Sequence, residues 1–240
     1  MAPHHHVVYP GAKGRPMRAV VALPRDDGRR RPGVIVLHEI FGLNADMRRI
    51  TARVADLGYV AICPDLFDRR GPGVFRVART LMDYRSGRGW AWDSIEATHR
   101  YLGRRHDVDE ARTGVIGFCM GGGFALMYAQ RTPMQVAGVF YGDVPKTAAA
   151  LQGIGPVIAG YGERDRIFAA HGRRLEVLLE TLGVPHDVKA YQYAGHSYMN
   201  VHSGFLSTLS AKSPLKGDYD PKASEDSWRR IEAFFHRHLR

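Results

Sequence analysis

One cysteine lies in a glycine-rich turn where an apolar run meets a helix-like run. The segment GFCMG, residues 117–121, has the G-x-S-x-G spacing of a nucleophile elbow, with the sulfur of Cys119 in place of a hydroxyl. Glycine on both sides of the nucleophile lets the backbone bend sharply without a side-chain clash. A helix beginning at Met120 would direct the positive end of its dipole at the sulfur and favour the thiolate. The pattern is also compatible with a buried structural cysteine or a phosphate-binding turn.

Two further groups follow at the positions that a catalytic triad needs. Asp165 lies in GERD directly after the apolar run PVIAG, and His196 lies in AGHSY directly after HDVKAYQY. Nucleophile, acid and histidine follow one another in this order in α/β hydrolases. We therefore predict that Cys119, Asp165 and His196 meet at the carboxyl edge of a parallel sheet as nucleophile, orienting acid and base. Asp143, after the preceding apolar run, is the alternative acid.

The turn HEIFGLN, residues 38–44, follows an early apolar run and predicts the second half of an oxyanion hole. In this arrangement one N–H comes from the residue after the nucleophile and the other from such an early loop. We predict the backbone amides of Ile40 and Met120 for this task. Glu39 would lie near Cys119, where a carboxylate disfavours the thiolate, and could keep the thiol protonated until substrate arrives. A solvent-facing loop carboxylate is the alternative.

Short apolar runs alternate with longer helical patterns, which is typical of a parallel sheet with crossover helices. The sequence predicts strands in MRAVVALP, GVIVLHE, YVAICPDLF, RTGVIGF, QVAGVFYG, GPVIAGYG and HDVKAYQY. It predicts helices in NADMRRITARVADLG with Asn44 as N-cap, DSIEATHRYLGRR, MGGGFALMYAQR, HGRRLEVLLETLG and SEDSWRRIEAFFHRHL. Residues 68–89 are expected to form a loop with a short helix. The prediction is one α/β domain over residues 1–240, a mostly parallel central sheet with helices on both faces, and a frayed terminus over residues 1–10.

Composition narrows the function classes. The chain has 240 residues, a hydrophobic fraction of 45% and a formal charge of +10. No apolar run reaches the roughly 18 residues of a membrane span, and two cysteines exclude a disulfide framework, so we expect a cytoplasmic protein without a membrane partner. Because the arginines are spread along the chain, we expect anion steering and no nucleic-acid partner. A monomer or a small homo-oligomer is expected, and His4 to His6 are too few to predict a metal site.

Together these motifs resemble those of the dienelactone hydrolase family. HEIFGLN, AICPDLF, GFCMGGGFALMYA, GERD and AGHSY follow one another in family order over residues 33–200. The resemblance implies a single α/β-hydrolase domain that needs no cofactor or metal. It also implies that Cys119, Asp165 and His196 form the triad and that Glu39 controls the thiol.

By the same resemblance the substrate is a small ester or lactone, an anionic one included. The family's best-known activity opens a carboxylated enol lactone to maleylacetate during degradation of chlorinated aromatics. Two arginines hold the substrate carboxylate in that enzyme type, one of them four residues after the histidine, where this chain has Asn200. Arg79, Arg85 and Tyr198 are further candidates for substrate contacts. The missing arginine leaves open a general carboxylesterase, and a non-catalytic binding protein on the same scaffold is the other alternative.

Overall fold

The computed structural model describes residues 1–25, 27–67, 73–202 and 217–239. The fold is α/β with a mostly parallel sheet, in which the described residues contribute eight strands. This confirms the fold class expected from the sequence. The chain divides into two compact units, Met1–Gly114 and Val115–Arg240. The single domain over the whole chain stays a prediction.

The first unit combines antiparallel and parallel strands with three helices among its described residues. Their bounds are β1 His4–Pro10, β2 Pro16–Ala22, β3 Arg31–Leu37, α1 Ala45–Asp56, β4 Val60–Pro64, α2 Gly73–Ser86, α3 Trp90–Gly103 and β5 Val108–Phe118. Strand β5 continues into the second unit. The strand order is β1-β2-β4-β3-β5. Strand β2 is antiparallel to both β1 and β4, whereas β3 and β4 are parallel.

Helix α1 begins as the sequence predicted. The side chain of Asn44 accepts a hydrogen bond from the Met47 amide at 2.9 Å, which confirms the N-cap. The face of α1 that includes Ile50, Val54 and Ala55 is buried. This packing fixes the chain just after the HEIFGLN turn, because that turn runs directly into the cap.

The expectation of a frayed terminus is wrong for residues 4–10. Strand β1 pairs with β2 along its length, from His4 opposite Ala22 to Pro10 opposite Pro16. Its anchor is Tyr9, which is buried and whose hydroxyl shares a hydrogen bond of 2.7 Å with Thr98. An edge strand that buries only one face needs few apolar residues, so the polar start of the chain gave little sign of it.

Helix α2 is longer than the short helix that the sequence predicted. It covers 14 residues, and residues 68–72 of the same stretch lie outside the described residues. Its last turn is tied to helix α3 through Asp83. The Asp83 carboxylate accepts from the Ala91 amide at 3.0 Å, and its backbone carbonyl accepts from the Trp92 indole at 2.8 Å. These bonds between helices could not be predicted from the periodicity of the sequence.

The second unit is a parallel sheet with helices between its strands. Beyond β5 its elements are α4 Met120–Arg131, β6 Val136–Phe140, β7 Val157–Gly162, α5 Ala169–Thr181, β8 His186–Tyr191 and α6 Pro221–His238. The strand order is β5-β6-β7-β8, with β6, β7 and β8 parallel to one another. Helix α6 begins three residues earlier than predicted, because Asp220 caps it by accepting from the amides of Lys222 and Ala223.

None of the helices in the described ranges combines the length and the apolar character that a bilayer crossing requires.

Candidate active site

Cys119 occupies a strained turn between a strand and a helix. Strand β5 ends at Phe118, helix α4 begins at Met120, and Cys119 between them has φ 53° and ψ −117°. A side chain at Gly117 would not fit, because its Cβ would lie 2.0 Å from the backbone oxygen of Gly121. The thiol is partly exposed. The turn therefore holds the sulfur of Cys119 outside the packed strand, which is the arrangement that the sequence predicted.

Asp165 and His196 lie together in the second unit. The His196 Nδ1–H donates to the Asp165 carboxylate at 2.6 Å, and both side chains are buried. The other carboxylate oxygen accepts from the backbone amides of Ile167 and Phe168 at 2.9 and 3.0 Å. These bonds fix both the carboxylate and the imidazole. Because Nδ1 faces Asp165, Nε2 is the ring nitrogen left for chemistry.

Charge around His196 keeps its imidazole protonated. Burial lowers the pKa of His196, but the charge of the Cys119 sulfur and the charge and hydrogen bond of the Asp165 carboxylate outweigh it and raise that pKa to about 10. The His196 Nε2 makes no hydrogen bond of good geometry to another described residue. That Cys119 and His196 act together stays a prediction. With a pKa of about 10, the His196 imidazole is protonated at neutral pH.

Asp143, the alternative acid, lies apart from this pair. Its side chain is half exposed, and its carboxylate is 3.4 Å from the Nδ1 of His171. Burial, followed by the nearby Arg174, lowers the pKa of His171. The structure thus brings Asp165, and not Asp143, into hydrogen-bonding distance of His196.

Two aromatic rings beside His196 were not anticipated from the sequence. The rings of Tyr141 and Phe168 each lie with their centroids 5.2 Å from that of the imidazole. Tyr141 has φ 42° and Ser197 has φ 59°, so both share the left-handed backbone of Cys119. Such strain is concentrated at functional sites when the surrounding packing enforces it. The position of Tyr141 directly after strand β6 was the available signal, because strand ends at this edge carry the site.

Asn200 and Tyr198 lie inside the second unit. The Asn200 side-chain oxygen accepts a hydrogen bond from the Tyr141 hydroxyl, and Asn200 is 1% exposed. The Tyr198 hydroxyl, also buried, shares a hydrogen bond of 2.8 Å with Ser227 on helix α6. Both side chains thus have internal partners. Their contact with substrate stays a prediction, and the structure gives each of them a task in holding the loop after His196.

Glu39 and Ile40, two predicted site residues of the first unit, follow strand β3. Glu39 is 1% exposed, so it is not the solvent-facing carboxylate of the alternative interpretation. The His38 Nδ1–H donates to the Glu39 carbonyl at 2.6 Å, and the His38 Nε2 accepts from the Leu66 amide at 3.0 Å. Burial lowers the pKa of His38, in keeping with a neutral ring that uses both nitrogens. The imidazole of His38 therefore braces the turn that presents Glu39 and Ile40.

The roles of the remaining residues stay predictions. Ile40 lies in a turn closed by the Gly42 amide, which donates to the Glu39 carbonyl at 3.1 Å. Met120 is the first residue of helix α4, so its amide has no acceptor within the helix. Arg79 and Arg85 are exposed on helix α2. Among the described residues, no group of three or more His, Cys, Asp or Glu side chains is arranged to hold a metal ion.

Comparison with known proteins gives a consistent result for sequence and fold. Residues 17–239 match the model of the Dienelactone hydrolase family. A carboxymethylenebutenolidase from Rhodococcus opacus is 32% identical over 225 residues, covering 86% of this chain and 81% of the relative. A carboxymethylenebutenolidase from Pseudomonas putida is 30% identical over 199 residues, covering 75% of this chain and 80% of the relative.

Solved structures share the fold over the whole chain. A dienelactone hydrolase-like promiscuous phosphotriesterase from metagenomic libraries has a TM-score of 0.81 at 22% identity and covers 100% of both chains. A dienelactone hydrolase from Anabaena variabilis has a TM-score of 0.69 at 17% identity, with 100% of this chain and 99% of the other covered. At such identities the likeness concerns the fold alone.

Proposed function

This chain belongs to the dienelactone hydrolase family and is a hydrolase of that kind, and on this premise we propose that it cleaves an ester or an enol lactone with Cys119 as nucleophile. The observation that carries the proposal is the Asp165–His196 hydrogen bond of 2.6 Å in the same unit as a cysteine on a strained turn. A buried acid that orients an imidazole toward a nucleophile is the arrangement used for acyl transfer. No metal or cofactor enters the proposed steps.

In the acylation step the Cys119 thiolate attacks the carbonyl carbon of the substrate and forms a C–S bond. The carbonyl electron pair moves to oxygen, where the amides of Met120 and Ile40 are proposed to stabilise it. When the tetrahedral intermediate collapses, the C–O bond breaks and His196 gives its proton to the leaving oxygen. The raised pKa of His196 supports this role, because the imidazole enters the step already protonated.

In the deacylation step water replaces the alcohol. Neutral His196 takes a proton from the water, whose oxygen attacks the thioester carbon while Asp165 holds the resulting imidazolium. Collapse breaks the C–S bond, releases the acid and leaves the thiolate beside protonated His196. The two bonds from Ile167 and Phe168 keep the Asp165 carboxylate in place throughout the cycle.

A sulfur nucleophile favours substrates with good leaving groups. A thiolate leaves a tetrahedral intermediate more readily than a simple alkoxide does, so an alkyl ester tends to return to substrate. An enolate or an aryl oxide leaves in competition with the sulfur. We therefore expect aryl esters and enol lactones to be hydrolysed faster than simple alkyl esters.

We propose that the acyl group of the substrate is uncharged, unlike the carboxylated lactone that the relatives' name denotes. Two relatives are carboxymethylenebutenolidases, and that name denotes a lactone with a carboxylate. The internal hydrogen bond of Asn200 with Tyr141 supports a pocket without a cationic clamp at this place. Arg79 and Arg85 stay candidates for holding a carboxylate. A panel of dienelactone, neutral lactones and short aryl esters tests the point: a large preference for the carboxylated lactone would contradict a neutral acyl group.

Cys119→Ala tests the nucleophile directly. We expect turnover of p-nitrophenyl acetate to fall by about 10³-fold or more, because the thioester cannot form. Rapid quenching of the wild-type reaction should show an acetyl group on the peptide containing Cys119. The matched control is Cys63→Ala. Cys63 is fully buried and burial raises the pKa of its thiol, so its loss should leave turnover within a few-fold. A Cys119→Ala enzyme with activity within a few-fold of wild type would remove Cys119 as nucleophile.

A further inference from the structure

The first unit contains a concave site that the proposed hydrolysis does not use. It is a cavity of about 450 Å³ at the amino ends of strands β3 and β4, next to the residues that precede strand β5. Its volume lies within the range of small-molecule sites, roughly 300–1,000 Å³. Glu39 and Ile40 follow the opposite end of β3. Because β3 has seven residues at about 3.3 Å each, roughly 20 Å separate the cavity from that turn.

Positive charge dominates the lining of this cavity. Its walls include five arginines: Arg25, Arg29, Arg30, Arg31 and Arg105. Among the described lining residues, the carboxylates are those of Asp27 and Asp107. Counted over the described lining residues, five guanidinium groups against two carboxylates leave an excess of three positive charges with the histidines neutral.

Both carboxylates are already engaged in holding the walls. Asp107 receives two hydrogen bonds from the Arg105 guanidinium, at 2.9 and 2.7 Å. Asp27 receives one from Arg31 at 2.5 Å, and the Arg31 amide donates to the Asp107 carbonyl at 2.9 Å. The backbone bond joins the two chain segments, and the guanidinium bonds hold each segment in shape. The aspartates therefore build the site and have little capacity left to neutralise the other arginines.

Three arginines remain to meet an anion from solution. The Arg29 Nε lies 4.0 Å from the same Asp27 carboxylate that Arg31 occupies. Within the described ranges, no ion pair of 4.0 Å or less is formed by Arg25 or Arg30. The Arg31 Nε is buried and has no hydrogen-bond partner among the described residues. Like charges gathered in a concave surface repel one another, and a bound polyanion removes that cost.

We propose that this cavity binds a small oligophosphate, a molecule that carries at least two linked phosphate groups. Phosphate oxygens match the planar donor fork of arginine, and a charge of about −3 or more would offset the excess of positive charge. A single carboxylate supplies too little charge for this lining. A cavity of about 450 Å³ suits a compact molecule better than a nucleic-acid strand, which needs an extended basic surface. Hydrolysis at Cys119 is not a premise of this proposal.

Sodium tripolyphosphate is the probe, titrated calorimetrically into the full-length protein at low, fixed ionic strength. We expect saturable binding of one equivalent that weakens when salt is added. Arg25→Gln combined with Arg30→Gln should weaken it by about tenfold or more, because the variant loses two guanidinium groups and their charge-assisted hydrogen bonds. Both residues are exposed, so the variant should unfold thermally close to wild type.

The control removes the same two charges elsewhere. Arg173→Gln combined with Arg237→Gln changes exposed residues of helices α5 and α6 and should leave tripolyphosphate affinity within about twofold. If both double variants bind tripolyphosphate equally weakly, the effect comes from net charge alone and the proposal is overturned. So would the absence of saturable binding to wild type. Tighter binding of a single-stranded oligonucleotide that depends on Arg25 and Arg30 would assign the surface to nucleic acid instead.

Discussion

Replacing Asp165 by asparagine removes the negative charge of the side chain and keeps its shape. In wild type one Asp165 oxygen accepts from the Ile167 and Phe168 amides at 2.9 and 3.0 Å. In Asp165→Asn the side-chain oxygen of asparagine can take this place and keep both bonds. The NH₂ group then occupies the place of the oxygen that accepts from His196. Two donors face each other there, so when the ring becomes neutral it loses the proton on Nδ1 and keeps the one on Nε2. A neutral His196 with hydrogen on Nε2 cannot accept a proton from Cys119 or from water.

The size of the effect follows from the bond that is lost. A hydrogen bond to a charged partner contributes about 1.5–3 kcal/mol. At 1.36 kcal/mol for each pKa unit, this loss lowers the His196 pKa by roughly one to two units from its value of about 10. A fall of two pKa units alone corresponds to about 10²-fold in rate. A triad whose histidine is held in the wrong tautomer loses about 10⁴-fold in kcat. We therefore expect kcat to fall by about 10²- to 10⁴-fold.

The assay measures kcat and KM for p-nitrophenyl acetate together with the rate of alkylation of Cys119 by iodoacetamide across pH. Asp165 acts through His196, so kcat should fall much more than KM changes. Alkylation near neutral pH should slow, because a weaker imidazolium stabilises less thiolate. Thermal unfolding checks that the two backbone bonds to the new side chain have kept the turn folded.

Asp143→Asn is the matched control, since it makes the same chemical change in the other acidic turn. Asp143 is half exposed and lies 3.4 Å from His171. Its replacement should leave kcat within a few-fold. The reasoning is refuted if Asp165→Asn keeps a third or more of wild-type kcat, or if Asp143→Asn loses as much activity as Asp165→Asn does.

Three further predictions concern the turns around the site. Gly117→Ala forces a Cβ to 2.0 Å from a backbone oxygen, so soluble yield and melting temperature should fall, whereas Gly73→Ala, with open space around it, should melt within a few degrees of wild type. Because burial lowers the folded-state pKa of His38 below the ordinary 6.5, stability present above that pH is lost as pH falls. The free energy of unfolding, measured by urea titration, should therefore fall more steeply in wild type than in His38→Asn, by up to about 1.4 kcal/mol per pH unit. Glu39→Gln should accelerate iodoacetamide alkylation of Cys119 if the carboxylate keeps the thiol protonated, and an unchanged rate would remove that role.

The sequence alone was sufficient where local sterics decide the structure. Gly117 and the residues around Cys119 predicted the elbow, because a strand that turns at once into a helix requires glycine at a crowded position. Asn44 predicted the start of α1, since an N-cap acts within a few residues of itself. The alternation of apolar runs and helical patterns predicted the fold class, because each pattern can be identified within a short segment.

Features that depend on contacts between residues far apart in the chain could not be predicted from the sequence. Strand β1 is anchored by Tyr9, whose hydroxyl meets Thr98 at a separation of 89 residues. Asn200 could be identified as a missing arginine, but its burial against Tyr141, 59 residues away, follows only from packing. The five arginines of the basic cavity were interpreted as scattered charge, because they come from two segments separated in the chain.

The sequence by itself determined which groups are available: a cysteine on a glycine turn, two acids after successive strands and a histidine after the last strand. Tertiary structure showed which of the two acids is hydrogen-bonded to the histidine. Asp165 reaches His196 across 31 residues because its turn, fixed by the Ile167 and Phe168 amides, points the carboxylate at the imidazole. Residue types and their order are local information, whereas a hydrogen bond of 2.6 Å depends on how strands pair and how each turn is packed, which no single segment contains.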